Sequence, residues 1–324
     1  MIEFKNISKT YRVAKRQAGF GNAMKALFSR EHELVHALND VSFTVGDGEI
    51  VGYIGPNGAG KSTTIKIMCG ILTPDSGECV INGRIPWKDR ISYVREIGVV
   101  FGQRSQLWWD VPIIDSFELL KNMYKIDQKI YMSNLDELTQ LLDLGEILKT
   151  PTRNLSLGQR MRCEIAASLL HNPKTLFLDE PTIGLDAVSK IAVRQFIKKL
   201  NTERGTTIIL TTHDMQDIEA LTERILLIGK GKILLDGSLE ELKKHTSQKK
   251  TLVVKYKQNK PELYTGMELI ESKQEHLVIA LDPSILSVSD AIAYLAKQTE
   301  LLDVSVSGIT AEEMVAELYK EFII

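Results

Sequence analysis

The chain has 324 residues, 44% of them hydrophobic and 25% charged, with a formal net charge of -2. That length exceeds one average domain and leaves room for two cores that need no disulfide or metal staples. The slightly acidic balance argues against a broad nucleic-acid surface, and three cysteines without CxxC spacing, Cys69, Cys79 and Cys163, fit buried small side chains in a reducing compartment better than a disulfide framework or a zinc site.

The N-terminal residues Met1 to Asn6 lack a basic segment followed by an apolar stretch, so no signal peptide is expected. No uncharged run approaches the roughly 18 apolar residues of a membrane span, so a membrane role would come through a partner. Weak alternation predicts a strand over Ile2 to Tyr11, and a second over Val41 to Val45. Between them, residues 13–36 read as a long basic loop carrying Lys15, Arg16, Lys25 and Arg30. In it Phe20, Met24, Leu27 and Phe28 recur at helical spacing. That face either packs on its own domain or meets a permease or anionic headgroups.

Ile50 to Ile54 is a short apolar run of the buried-strand kind. It ends in Gly55-Pro56-Asn57-Gly58-Ala59-Gly60-Lys61-Ser62, which matches GxxxxGK[ST], and a helix is predicted from Lys61. The chemistry needs these residue types. Gly58 and Gly60 let successive backbone N–H groups turn inward around phosphates, and the new helix adds the positive end of its dipole. Lys61 supplies a point charge to the β- and γ-phosphates and Ser62 a hydroxyl for Mg²⁺; Thr63 completes the ATP-binding run.

Strands are predicted next at Cys79 to Ile81 and Ile97 to Phe101, with Asn82-Gly83 as a turn. Strand signals then stop. Leu119, Leu120 and Met123, then Leu135, Leu138, Leu141 and Leu142, carry helical spacing through residues 112–172. Strands return at Thr175 to Leu178 and Thr207 to Leu210, separated by a helix over Ala187 to Leu200. Alternation of this kind implies a mainly parallel sheet. The strand Leu176-Phe177-Leu178 delivers Asp179 and Glu180 to a C-terminal sheet edge, where α/β sites lie. Asp179 suits a magnesium ligand through water, and Glu180 a general base for an attacking water. Ile225 to Ile228 and Lys232 to Leu235 close this domain as a hairpin-like pair. Past a polar, basic linker over 243–250, the order βββαβα over Leu252 to Tyr256, Leu269 to Ser272, Leu277 to Leu281, Ser284 to Lys297, Asp303 to Ser307 and Ala311 to Phe322 predicts a small α+β domain.

Residues 1–240 resemble the ATP-binding cassette (ABC) family, and the identifying piece is Leu155-Ser156-Leu157-Gly158-Gln159, similar to the family signature LSGGQ with Leu157 at the first glycine. The resemblance implies an α/β P-loop cassette over 1–242, with a mainly parallel sheet, N-terminal antiparallel strands and a helical subdomain near 104–172. The α+β domain follows over 243–324. It implies ATP and Mg²⁺ as ligands, and a signature (Ser156, Gly158, Gln159) that meets the γ-phosphate of ATP held by a second cassette, expected to be an identical chain. By the same resemblance, Gln103 contacts Mg²⁺ and the attacking water, and His213 bridges γ-phosphate and base. Asp186 joins the two sites, and Tyr11 stacks on adenine.

The segment from Phe101 through Trp108-Trp109, the long loop after Tyr11 and the last domain look like cassettes paired with ABC-2-type exporter permeases. Trp108 and Trp109 either dock on a permease helix or pack within the helical insert. The implied place of work is the cytoplasmic face of the membrane, peripherally bound. The alternatives are an importer ATPase with a ligand-sensing C-terminal domain, and a non-transport ABC ATPase acting on nucleic acid or ribosomes. A long coiled-coil insertion or a second cassette in the chain would favour the latter, and the sequence has neither.

Overall fold

The computed structural model describes residues 1–14, 32–102, 104–212, 214–241, 249–257, 259–308 and Tyr319. Gln103, His213, the apolar face of the 13–36 segment and the helix expected over Ala311 to Phe322, Tyr319 excepted, lie outside the described residues. The described chain divides into two compact units, Met1–Gly237 and Ser238–Ile324.

In chain order the first unit contains β1 (Ile2–Ala14), β2 (His32–Val45), β3 (Ile50–Ile54), α1 (Lys61–Met68), β4 (Ser76–Ile81), α2 (Arg90–Val94) and β5 (Ile97–Phe101). The helices α3 (Ile113–Tyr124), α4 (Gln128–Leu141) and α5 (Leu157–Leu169) come next. They are followed by β6 (Thr175–Asp179), α6 (Ala187–Arg204), β7 (Thr207–Thr211), α7 (Met215–Leu221), β8 (Arg224–Gly229) and β9 (Lys232–Ser238).

Two sheets result. β2-β1-β4 is antiparallel, while β5-β6-β7-β3-β8-β9 has its first five strands parallel. The period-2 geometry of a strand explains how one sheet serves two cores. Leu176 and Leu178 point into the cluster formed with α3 to α6, whereas Phe177 between them packs with α1 and the antiparallel sheet. All three cysteines are free and buried, and burial pushes the Cys79 and Cys163 thiols up to about 12.

β2 starts nine residues earlier than its hydropathy pattern predicts, at His32 rather than Val41. Its first half pairs with β1 from Ala14↔His32 to Thr10↔His36, and its residues there are exposed. Backbone hydrogen bonds hold such a ribbon, so no apolar alternation announces it.

The second unit contains β10 (Lys250–Lys257), β11 (Met267–Lys273), β12 (His276–Leu281), α8 (Val288–Ala296) and β13 (Glu300–Gly308). Its antiparallel sheet runs β11-β12-β10-β13 around a core of Leu252, Val254, Leu277, Ile279, Leu281 and Leu295. α8 begins four residues after the expected Ser284, because Ser284 closes a turn on Asp282 and Ser287 takes the N-cap, accepting the Asp290 N–H.

Candidate functional site

The phosphate loop links the C-terminal end of β3 to the first residue of α1. Gly60 caps that helix in the left-handed region, at φ 117°, and a Cβ there would lie 2.6 Å from the Ala37 carbonyl oxygen. Only glycine meets both conditions. Gly58 also has a positive φ, of 81°, but opens onto free space. Lys61 is 7% exposed, and its Nζ donates to the carbonyls of Gly55 (2.6 Å) and Pro56 (3.2 Å). Burial lowers its pKa, against the opposing pull of Glu180 and Asp179.

Strand register brings the acidic pair to the same edge. Phe101, Asp179 and Thr211 are aligned partners at the ends of β5, β6 and β7. The Thr211 hydroxyl donates to an Asp179 carboxylate oxygen, and the Gly102 N–H donates to the Asp179 carbonyl (2.8 Å). Glu180 sits at φ 56°, an uncommon left-handed position for a non-glycine residue, and its N–H donates to the Thr211 carbonyl (2.9 Å). Glu180 lines the same cleft as the phosphate loop.

These pieces enclose a cleft of about 540 Å³, within the range of small-molecule sites. Pro56, Asn57, Gly58, Gly60, Lys61, Ser62, Thr63, Asp179 and Glu180 line it. Gly55 and Ala59 stand behind the lining, the first through its carbonyl bond to Lys61, the second buried. Phe101 and six residues not expected at the site from sequence, Val35, Ala37, Lys66, Ile71, Gly102 and Arg104, complete the wall. Lys66 was findable, since it falls one helical turn after Ser62. Tyr11 is not in the lining, but it pairs directly with Val35, which is. Paired residues share a sheet face, so Tyr11 stands beside Val35 on that face.

Behind the acidic pair lies a buried polar network. Asp217 is fully buried and accepts from the hydroxyls of Thr182 and Thr212 (3.1 Å) and from Arg194 Nε (2.5 Å). Lys190 bonds Asp214. Thr182 follows Glu180 by two residues, while Thr212 and Asp214 flank position 213, so one buried carboxylate pins both turns.

The signature residues are not brought to this cleft. Ser156 caps α5 by accepting the Gln159 N–H, and the Gln159 side chain accepts the Ser156 N–H, a capping box. Leu157 is the first helical residue, absent from the positive-φ positions, and its side chain lies over Gly184. Leucine is therefore unstrained at that position. Gly158 lies against α6: a Cβ on it would be 2.5 Å from Ser189 Oγ. Asp186 caps α6, accepting from Ser189 N and Oγ at 2.9 Å each, bonds that hold its carboxyl below the usual range.

Trp108 and Trp109 are 41% and 53% exposed, so they do not pack inside the helical subdomain. Arg160 of α5 lies over the Trp109 ring at 5.9 Å.

A family model described as ABC transporter matches residues 38–183, from β2 through the phosphate loop and signature to just past Glu180. The chain is 34% identical over 197 residues to the uncharacterized ABC transporter ATP-binding protein YhcH of Bacillus subtilis, covering 61% of this chain and 63% of that relative, so it spans less than two thirds of YhcH. It is 31% identical to the uncharacterized ABC transporter ATP-binding protein YdbJ of Bacillus subtilis, over 75% of this chain and 77% of YdbJ. It is 32% identical to the daunorubicin resistance ATP-binding protein DrrA3 of Streptomyces coeruleorubidus, over 65% and 66%. Among solved structures, a dimeric post-hydrolysis state of the ATP-binding cassette MJ0796 bound to ADP and Pi superposes with a TM-score of 0.61 at 28% identity, covering 74% of this chain and 99% of that one. The chain belongs to the ABC transporter family, as one of its ATP-binding subunits with an ATPase cassette.

Proposed function

We propose that this chain is the motor of an ABC-2-type exporter, hydrolysing ATP between two copies and driving a membrane permease from its cytoplasmic face. One observation carries the pairing: the cleft with the phosphate loop and acidic pair has no signature residue in its lining, while the exposed Ser156 caps the N-terminal end of α5 and Gly158 lies in its first turn. A second copy supplies what each cleft lacks. The helix N-terminus behind Ser156 suits an anion presented from outside the chain.

Within one copy the roles follow from position. The loop N–H groups and Lys61 hold the β- and γ-phosphates. Exchange of the Gly55 and Pro56 carbonyls for phosphate oxygens gives the buried ammonium a stronger partner. The cleft fits a hard cation: Ser62 and Asp179 both line it and offer oxygen. Among the described residues no group of three or more His, Cys, Asp or Glu gathers as a cage. Ser62 and Asp179 would hold Mg²⁺ there, and the ion would offset phosphate charge. Glu180 takes the proton of the attacking water, and Gln103 and His213 complete the water and γ-phosphate contacts. Asp186 meets its counterpart across the pair, and Tyr11 stacks on adenine beside Val35.

Export is supported by the likeness to a daunorubicin resistance protein and by the exposed Trp108–Trp109 edge, which suits a permease helix. Among the described residues no helix is long and apolar enough to cross a membrane. The test is turnover against concentration. Specific ATPase activity of the purified chain should rise with its concentration, and Glu180→Gln should accumulate ATP-bound dimers in light scattering. A rate per chain independent of concentration would overturn the shared site.

A further inference from the structure

Glu164 lies midway along α5, 4% exposed, among the buried residues Cys163, Ile165, Ala166 and Ala167. Packing alone would favour an apolar side chain there, since a buried carboxylate is costly unless its oxygens are bonded. Its bonds come from another segment. One oxygen accepts the Ser105 hydroxyl and the other the Gln106 N–H at 3.1 Å, while Gln106 Nε2 donates back to the Glu164 carbonyl at 3.0 Å. The Leu107 N–H donates to Ser105 Oγ at 3.1 Å, and the Trp108 N–H to Ser116 Oγ of α3 at 3.2 Å. The strand that ends at Phe101, beside Asp179, is thus followed within a few residues by a clamp on the signature helix and then by the exposed tryptophan pair.

We propose that Glu164 is a positioning residue that fastens segment 105–107 to α5, so that the tryptophan edge and the capped end bearing Ser156 and Gly158 move as one piece. α5 is a short continuous helix with both anchor points on it, eight residues apart at Ser156 and Glu164. Force on residues 108–109 therefore has a path to the middle of the helix through the carboxylate, beside the contact that Trp109 makes with Arg160 near the start of α5. The idea rests on the paired-cassette reading, in which α5 serves the opposite copy's nucleotide.

The experiment uses the full chain. Glu164→Leu fills the space without an acceptor, Glu164→Gln keeps an acceptor for Gln106 and a donor for Ser105, and Ser105→Ala removes one donor at little packing cost. Measured for each are single-chain affinity for a fluorescent ATP analogue in dilute solution, Mg·ATP-driven dimerisation, and kcat with KM. Glu164→Leu should keep single-chain affinity within about two-fold and lower kcat and dimerisation about ten-fold or more, the usual worth of a hydrogen bond to a charged group. Glu164→Gln should recover most of the loss. Ser105→Ala added to Glu164→Leu should cost nothing further, as expected for two members of one link.

Normal turnover in a folded Glu164→Leu chain would overturn the proposal. So would single-chain affinity falling in step with kcat, the mark of general damage. If Glu164→Leu does not fold, Ser105→Ala decides, and its full activity rejects the link. Failure of the paired reading shows elsewhere, as concentration-independent turnover of the unmodified chain.

Discussion

At the scale of single residues the site holds charge in unfavourable surroundings. Lys61 is buried with only neutral carbonyls as hydrogen-bond acceptors, and burial lowers its pKa. Lys61→Met keeps the length and removes the charge. The expected result is an ATP affinity about 10²-fold weaker, the order of a buried charge pair lost, checked by calorimetric titration. Glu180→Gln should leave ATP affinity intact and lower kcat about 10²- to 10⁴-fold, the range for a general base, in a phosphate-release assay. His171 gives a separate, structural signal. Its Nε2 meets the Ile97 carbonyl oxygen at 2.8 Å and its ring stacks on Tyr124 at 4.1 Å. Burial lowers its pKa to about 4, against the hydrogen bond that raises it. Above about pH 6.5 the imidazole is neutral folded and unfolded, and its fit is fully retained. As pH falls from there to about 4, the unfolded chain takes a proton that the folded chain refuses, so stability is lost, by about 2–3 kcal/mol at pH 4.5. Urea unfolding of His171→Phe, which keeps the stack, should show a shallower decline than the natural chain between pH 7 and 4.5; parallel curves would remove His171 as the cause.

Between elements, close approach decides what a motif alone leaves open. Gly158 is proposed as a nucleotide contact of the signature, and its position is dictated within the chain by Ser189 of α6. Gly158→Ala forces Ser189 to shift, and Ser189 holds the Asp186 cap. A stability loss of about 1–3 kcal/mol is expected in denaturant unfolding, the usual cost of overpacking. Adding Ser189→Ala removes the 2.5 Å contact and leaves one of 3.1 Å, so part of the loss should return. Equal stability of single and double variants would show that the two helices adjust freely. The same pair explains what could be read in the sequence. The phosphate loop, the acidic pair and the signature are local patterns, each set by a few consecutive residues, and so are legible in the sequence. The Thr211 and Gly102 bonds to Asp179 depend on the register of β5, β6 and β7, which no local pattern encodes. The Asp217 network joins α6, α7 and two turns, so its parts looked like ordinary helix charges. The outer half of β2 carries no apolar alternation because its residues are exposed and its register is set by backbone pairing with β1. Leu157 fits at the signature's first glycine because it is the first helical residue, a placement that its local sequence does not fix.

At the scale of the whole molecule the described cores are separate. The clusters around the six-stranded sheet draw only on residues before Gly237, and the cluster under the four-stranded sheet only on residues after Ser238. Cooperative unfolding follows a shared core, so calorimetry should resolve two transitions, the smaller unit absorbing on the order of 60 kcal/mol near 60 °C. Nucleotide separates them further. The cleft lies wholly in the first unit, so ATP added with Mg²⁺ should stabilise that unit by the linkage relation, about 2.7 kcal/mol at a hundred times Kd. Its transition should climb by several degrees while the other stays in place. Using Glu180→Gln prevents depletion of ATP during the scan. If both transitions move together by the same amount, the two units unfold as one, and the C-terminal domain must then be counted as part of the nucleotide-driven machine.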